Sequence, residues 1–216
     1  ERFQYGSRQL IEEMHEPSEG LEADSVLQRV IRTEIEHIEN LMQQVSSANF
    51  HAVVEMLEKA RRVYIVGLRA SMPLALHLAI PLRLIRQDCH IVSYQSPNGI
   101  SDQLEELSED DLLFTITYSR YARDTLNAMD YARAVGAKVV ALTDNPLSPA
   151  ATRADKVFVI PFRLWLYGNA AAPYVLLNAL FTALFLRYGD RIPERLEKLE
   201  RLYSTLETFE EESSPR

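Results

Sequence analysis

Five short runs dense in β-branched and aromatic residues recur along this chain, with helical spacing between most of them. That alternation restricts the fold more than any other feature. The runs are Arg62–Gly67, Cys89–Tyr94, Asp111–Tyr118, Lys138–Thr143 and Lys156–Pro161. They are apolar almost without a break rather than apolar and polar in turn, the pattern of strands covered on both faces. Helical stretches from Ser71 to about Arg86 and from Ala122 to Val135 lie between strands, and Gly136 suits the position just past the second of these. The pattern predicts an α/β fold: a three-layer α-β-α sandwich with a five-stranded parallel sheet, preceded by a helical segment.

Two helices are expected ahead of the first strand. Val26, Leu27, Val30, Ile31, Ile35, Ile38, Leu41 and Met42 follow helical spacing over Ser25–Gln44, with Ser25 as the expected N-cap. A second stretch runs from about Ser47 or Asn49 to Ala60. Two more close the chain. Ala171–Arg187 is apolar most of the way round, which calls for burial on more than one side and suits a homo-oligomer interface, dimer or tetramer. Pro193–Phe209 is rich in Glu, Lys and Arg, with Leu196, Leu199, Leu202 and Leu206 as its expected inward stripe. The domain reading is 1–24 as the remnant of, or linker from, a preceding domain, 25–209 as one ligand-binding domain, and 210–216 as a frayed tail.

Thirty-one acids against twenty-three bases leave a net charge of −8. Binding DNA by neutralising phosphates needs a basic face, so DNA contact is expected only through an N-terminal domain outside this sequence. A single cysteine, Cys89, allows neither an internal disulfide nor a zinc site and suits a reducing cytoplasm. The most apolar stretch, Ala170–Leu186, contains Asn178 and Thr182 and reads as a buried helix rather than a membrane span. No metal-ligand spacing and no Gly-x-Gly-x-x-Gly dinucleotide loop is present, so no cofactor, metal or membrane is expected.

Open parallel sheets bind ligands outside the carboxyl ends of their strands, where the strand order reverses. Gly67-Leu68-Arg69-Ala70-Ser71 leaves the first strand, Thr117-Tyr118-Ser119-Arg120-Tyr121-Ala122-Arg123-Asp124-Thr125 the third, and Thr143-Asp144-Asn145-Pro146 the fourth. The first two run straight into helices. Hydroxyls and free backbone N–H groups at helix N-termini, with arginines close by, make an anion site. The candidate ligand-binding residues are therefore Arg69, Ser71, Thr117, Ser119, Arg120, Arg123 and Thr125, and no catalytic residue is assigned.

These stretches resemble a known family. Val63-Tyr64-Ile65-Val66-Gly67-x-x-x-Ser71, then Thr117-x-Ser119, then Gly136-Ala137-Lys138-Val139-Val140-Ala141-Leu142-Thr143-Asp144, Ser148-Pro149 and Ala154-Asp155 resemble the SIS (sugar isomerase) domain. The closest likeness is to the ligand-binding half of RpiR-type bacterial transcription regulators, over about residues 25–190. The resemblance implies phosphosugar binding. Ser71 matches the serine of the family's Gly-x-Gly-x-Ser loop, and Thr117 and Ser119 match the two serines of Ser-x-Ser-Gly-x-Thr. Arg69 and Arg120 stand where that pattern has glycine, and Ala122 stands where it has threonine. The implied function is sensing of a small anionic metabolite that controls DNA binding by a helix-turn-helix domain. The alternative is an aldose–ketose isomerase, for which Glu105 and Glu106 are better candidate bases than any of the five histidines.

Overall fold

Strands β1 (Val63–Gly67), β2 (Cys89–Val92), β3 (Leu112–Ile116), β4 (Lys138–Thr143) and β5 (Lys156–Val159) pair entirely in parallel, in the spatial order β2-β1-β3-β4-β5. The chain runs outward from β1 to β2, then crosses back to build β3, β4 and β5 on the other side. The order therefore reverses between β1 and β3. The coordinates, a computed structural model, describe residues 23–95, 99–161, 170–189 and 192–208. The expected remnant up to residue 22 and the expected tail 210–216 lie outside the described residues.

The helices are α1 (Ala23–Gln44), α2 (Ser47–Lys59), α3 (Met72–Ile85), α4 (Arg123–Ala134), α5 (Ala171–Tyr188) and α6 (Ile192–Thr205). Side chains alternate across a strand, and the two faces of the sheet are covered unequally. Val63 and Ile65 of β1, with Leu112, Phe114 and Ile116 of β3, join residues of α2, α3 and α5 in the larger core. Tyr64, Val66, Leu113, Val139 and Ala141 face the other way onto Ala128, Met129 and Ala132 of α4, with Leu104 and Leu107 of the β2–β3 connection. Among the described residues of that connection, one 3-10 turn at Asp102–Leu104 stands in place of a covering α-helix. The second face is thereby left thin.

Both central strands are tied down at their amino ends by one carboxylate. Asp111 is fully buried and accepts from Arg61 Nε at 3.2 Å, the Arg62 backbone N–H at 3.1 Å and the Ser108 N–H at 2.9 Å. Arg62 also pairs with the Glu106 carboxylate. Burial alone would raise the Asp111 pKa, yet donors from Arg61, the Ser108 backbone and Arg62 hold it below the usual carboxylate value.

Two expectations are corrected. The first helix begins at Ala23, so Ser25 lies inside it rather than at its cap, whereas Ser46 does cap α2 by accepting from the Asn49 N–H at 3.2 Å. The leucine stripe of α6 is inward only at Leu199, which is half-buried. Leu196, Leu202 and Leu206 are exposed, and only Ile192 at the helix start is buried. The helix is held by polar contacts instead: Arg195 donates to the Leu84 carbonyl at 2.7 Å and to that of Arg83, capping the end of α3. Helix α5 is long and apolar enough to cross a bilayer by length and composition, but Ala172, Leu176, Leu177, Leu180 and Leu184 lie in the larger core.

Candidate functional site

Gly67 ends β1 where no other residue fits. A Cβ there would lie 2.6 Å from the Ala75 Cβ and 2.7 Å from the Ser71 carbonyl oxygen, both inside contact distance. The chain thus turns hard against the helix it is about to enter. A single 3-10 turn, Arg69–Ser71, leads into α3. Ser71 is buried at that junction, while Arg69 is exposed.

The second loop leaves β3 beside the first, because Gly67 and Ile116 are register partners at the ends of their strands. Thr117 is buried and its N–H donates to the Leu142 carbonyl at 3.0 Å. Asp144, immediately past β4, then anchors the loop: its carboxylate accepts from the Ser119 N–H at 3.0 Å and from the Tyr121 hydroxyl at 2.9 Å. The Thr143 hydroxyl lies 3.3 Å from the same carboxylate and 3.1 Å from the Ser148 hydroxyl. Burial, the hydrogen bond to Asp144 and its charge push the Tyr121 phenol far up, so it stays protonated as a donor. The loop enters α4 through Arg123, its exposed first residue, and Thr125, fully buried one turn inside. The Thr125 hydroxyl has no hydrogen-bond partner among the described residues.

Arg69 and Arg120 share an unusual backbone. Their φ values are +57° and +69°, and Glu207 is the only other non-glycine described residue with positive φ. The left-handed region costs an L-residue with a Cβ about 1–2 kcal/mol, and such strain gathers at functional sites. The resemblance placed both arginines at glycine positions, and the backbone keeps the conformation a glycine would favour. Arg69, Arg120 and Arg123 make no hydrogen bond or ion pair among the described residues. Arg123 also sits at the helix end where the macrodipole disfavours a cation. Three guanidiniums without a direct acidic partner among the described residues thus border two adjoining helix heads, a setting that favours an anion.

Next to these loops, on the thin face of the sheet, opens a cavity of about 630 Å³ bordered by Tyr94, Asp102, Glu105, Asp124, Asn127 and Tyr131. The Tyr94 hydroxyl donates to Asp124 at 2.7 Å and spans the space between the β2 exit and the head of α4. Gln103 braces the opposite wall: its side-chain carbonyl accepts from the Ser93 N–H at 3.0 Å, and its amide donates to the carbonyls of Ser93 and Gly99 at 2.8 and 2.6 Å.

Of the two candidate bases, only Glu105 borders this cavity. Glu106 is engaged by Arg62 beside the amino ends of the strands, away from the site. His77 bonds Asn178 at 2.7 Å on the helical layer, and His90 stacks on Tyr64 at 5.1 Å between ring centroids. Cys89 is buried, and burial pushes its thiol up to about 11, so it is no nucleophile at neutral pH. No group of three or more His, Cys, Asp or Glu among the described residues could hold a metal ion.

Sequence reasoning named the arginines and hydroxyls but missed the Asp144 anchor and the cavity. An acid directly after a strand's carboxyl end was the available signal for Asp144. Nothing in the spacing of Tyr94, Asp102 and Asp124 announced that they meet.

A doubly wound parallel sheet with an arginine-bordered pair of loops at its switch point places the chain among α/β domains that bind small ligands there. Within that class the SIS domain family profile matches residues 56–183, and the chain belongs to that family. The sugar isomerase domain of an RpiR transcription factor from Sphaerobacter thermophilus is 26% identical, with a TM-score of 0.74 over 80% of this chain and 97% of that one. The Vibrio vulnificus NanR protein, solved with ManNAc-6P, shares the fold at 19% identity and a TM-score of 0.68, covering 82% of this chain and 69% of that one. An uncharacterised HTH-type transcriptional regulator from Escherichia coli K12, YfhH, is 27% identical over 166 residues, 74% of this chain; the chain spans 58% of that regulator's length. The fold also serves enzymes. A phosphoheptose isomerase from Francisella tularensis has a TM-score of 0.64 at 15% identity, covering 77% of this chain and all of that one.

Proposed function

We propose that this chain is the effector-sensing unit of a transcription regulator and binds a small anionic metabolite, a phosphosugar, on the loops after β1 and β3. The observation that carries the reading is the pair of left-handed arginines, Arg69 and Arg120, without an ion pair among the described residues, on adjoining loops that each enter a helix. In this reading the phosphate sits among Arg69, Ser71, Thr117, Ser119, Arg120, Arg123 and Thr125. The arginines supply charge, the hydroxyls and free helix-head N–H groups supply directed donors, and Asp144 fixes the loop that carries Ser119. Likeness to the sugar isomerase domain of an RpiR transcription factor and to a NanR protein complexed with ManNAc-6P supports the same assignment.

The signal would pass through a homo-oligomer. Leu76, Ile80 and Leu84 repeat every fourth residue along α3 and are exposed, as are Val175, Phe185 and Leu186 on α5. Such apolar surface suits an interface between copies. Ligand binding that favours one arrangement of the copies would set the spacing of DNA-reading helices in a domain outside this sequence.

The isomerase alternative draws support from Glu105 at the cavity edge. One experiment separates the two: a thermal-shift titration against a panel of sugar phosphates, with each ligand recovered and identified afterwards. A ligand at 100 times its Kd stabilises the fold by about 2.7 kcal/mol, a rise in Tm of roughly 5–10 °C for a domain of this size. A sensor returns the ligand unchanged. Aldose–ketose conversion would establish the enzyme instead, and no shift across the panel contradicts both.

A further inference from the structure

The cavity beside the arginine loops has the opposite electrostatic character to the loops themselves. Arg69, Arg120 and Arg123 are cationic and without an ion pair among the described residues, whereas the cavity wall carries the carboxylates of Asp102, Glu105 and Asp124, the Asn127 amide and the two tyrosines. The two regions adjoin: Asp124, which lines the cavity and accepts from the Tyr94 hydroxyl, directly follows Arg123 at the head of α4. The acidic, hydrogen-bonding wall thus begins one residue beyond the loop that would hold a phosphate.

We infer that this wall selects the body of the ligand, with Asp102 and Glu105 as the specificity-determining residues. It accepts phosphorylated sugars whose body is neutral or bears an amine, and rejects phosphorylated sugar acids. The inference rests on the phosphosugar reading of the loops and deepens it. Carboxylates accept hydrogen bonds from sugar hydroxyls and pair with an ammonium, but a ligand carboxylate brought among them adds a like charge with no donor to meet it. Like charges a few ångströms apart in a half-solvated setting cost enough to alter affinity by about tenfold. Asp124 is already committed on one oxygen to Tyr94, which holds that wall in place. Asp102 and Glu105 are exposed and make no ion pair among the described residues, so they are free to meet a ligand.

The test is calorimetric titration of the protein with glucose 6-phosphate, glucosamine 6-phosphate and 6-phosphogluconate, repeated on an Asp102→Asn/Glu105→Gln variant. Both residues are exposed, so the variant should fold, and its unchanged thermal unfolding is checked first. The wild type is expected to bind at least one of the first two ligands at least ~10-fold more tightly than 6-phosphogluconate. The variant should shrink that preference to about threefold or less. Equal affinity for 6-phosphogluconate in the wild type, or a preference the variant leaves intact, overturns the inference while the phosphosugar reading stands. Binding of none of the three overturns both.

Discussion

Replacing Arg69 and Arg120 together by glycine should make the protein more stable and a worse binder. Both residues hold φ in the left-handed region, at +57° and +69°, where a Cβ costs about 1–2 kcal/mol. Glycine removes that cost, and the greater freedom of the unfolded chain returns roughly half of it. A net gain near 1 kcal/mol raises Tm by about 2–4 °C in a chain of this size. Affinity for a sugar phosphate moves the other way. Each arginine lost removes a charge-assisted contact of about 1.5–3 kcal/mol, so the pair should weaken binding about a hundredfold or more. Opposite signs in the two measurements mark strain held for function. Thermal unfolding and calorimetry on the same preparation check both; a lower Tm with unchanged affinity would show that the arginines are surface substitutions without a role in binding.

The largest loss of stability is expected from Asp111→Ala. This carboxylate is fully buried and gathers Arg61, the Arg62 backbone and Ser108 at the amino ends of β1 and β3. Removing it leaves the Arg62 and Ser108 N–H groups without that acceptor and parts the two arginines from their shared acid. A cost of about 3 kcal/mol follows, or a fall in Tm near 10 °C. The pH dependence carries a matching signature. Because the folded-state pKa lies below the ordinary value, the Asp111 contribution is fully present above about pH 4–5 and is lost as pH falls through the lower folded value. Denaturant titrations from pH 7 downward should therefore converge for wild type and variant under acid conditions. Parallel curves would mean that the ionised form of Asp111 contributes nothing to folding.

The sheet was legible because fully buried parallel strands leave an unmistakable apolar run, and the five runs fell where β1 to β5 lie. Their ends were read too long. Thr117 and Tyr118 continue the apolar character of β3 but have already left it, and Ser93 and Tyr94 do the same for β2. A parallel strand ends where its pairing ends, and pairing depends on neighbours that a single strand's sequence does not reveal. Periodicity found α6 but ran it past Thr205, where the helix ends, and turned inward leucines that are mostly exposed. An amphipathic stripe says that a face is apolar, and Leu196, Leu202 and Leu206 are exposed all the same.

At the site, the loops were readable because hydroxyls, arginines and helix starts cluster in sequence. What escaped was built from residues far apart along the chain. Asp144 reaches back 25 positions to the Ser119 amide, and Tyr94 reaches forward 30 to Asp124. The left-handed backbone of Arg69 and Arg120 lay between these cases. A resemblance that put glycine at both positions pointed to it, while the arginine side chains by themselves argued against it.

Backbone-amide NMR during a titration with glucose 6-phosphate and glucosamine 6-phosphate would map where a phosphosugar docks. With the phosphate on the loops leaving β1 and β3, the largest saturable shifts fall within 67–71 and 117–125, with smaller ones at Tyr94, Asp102 and Glu105, and Arg69→Gly/Arg120→Gly abolishes them at the same ligand concentration. Saturable shifts centred elsewhere, for example between α3 and α6 at the opposite end of the domain, would contradict that placement.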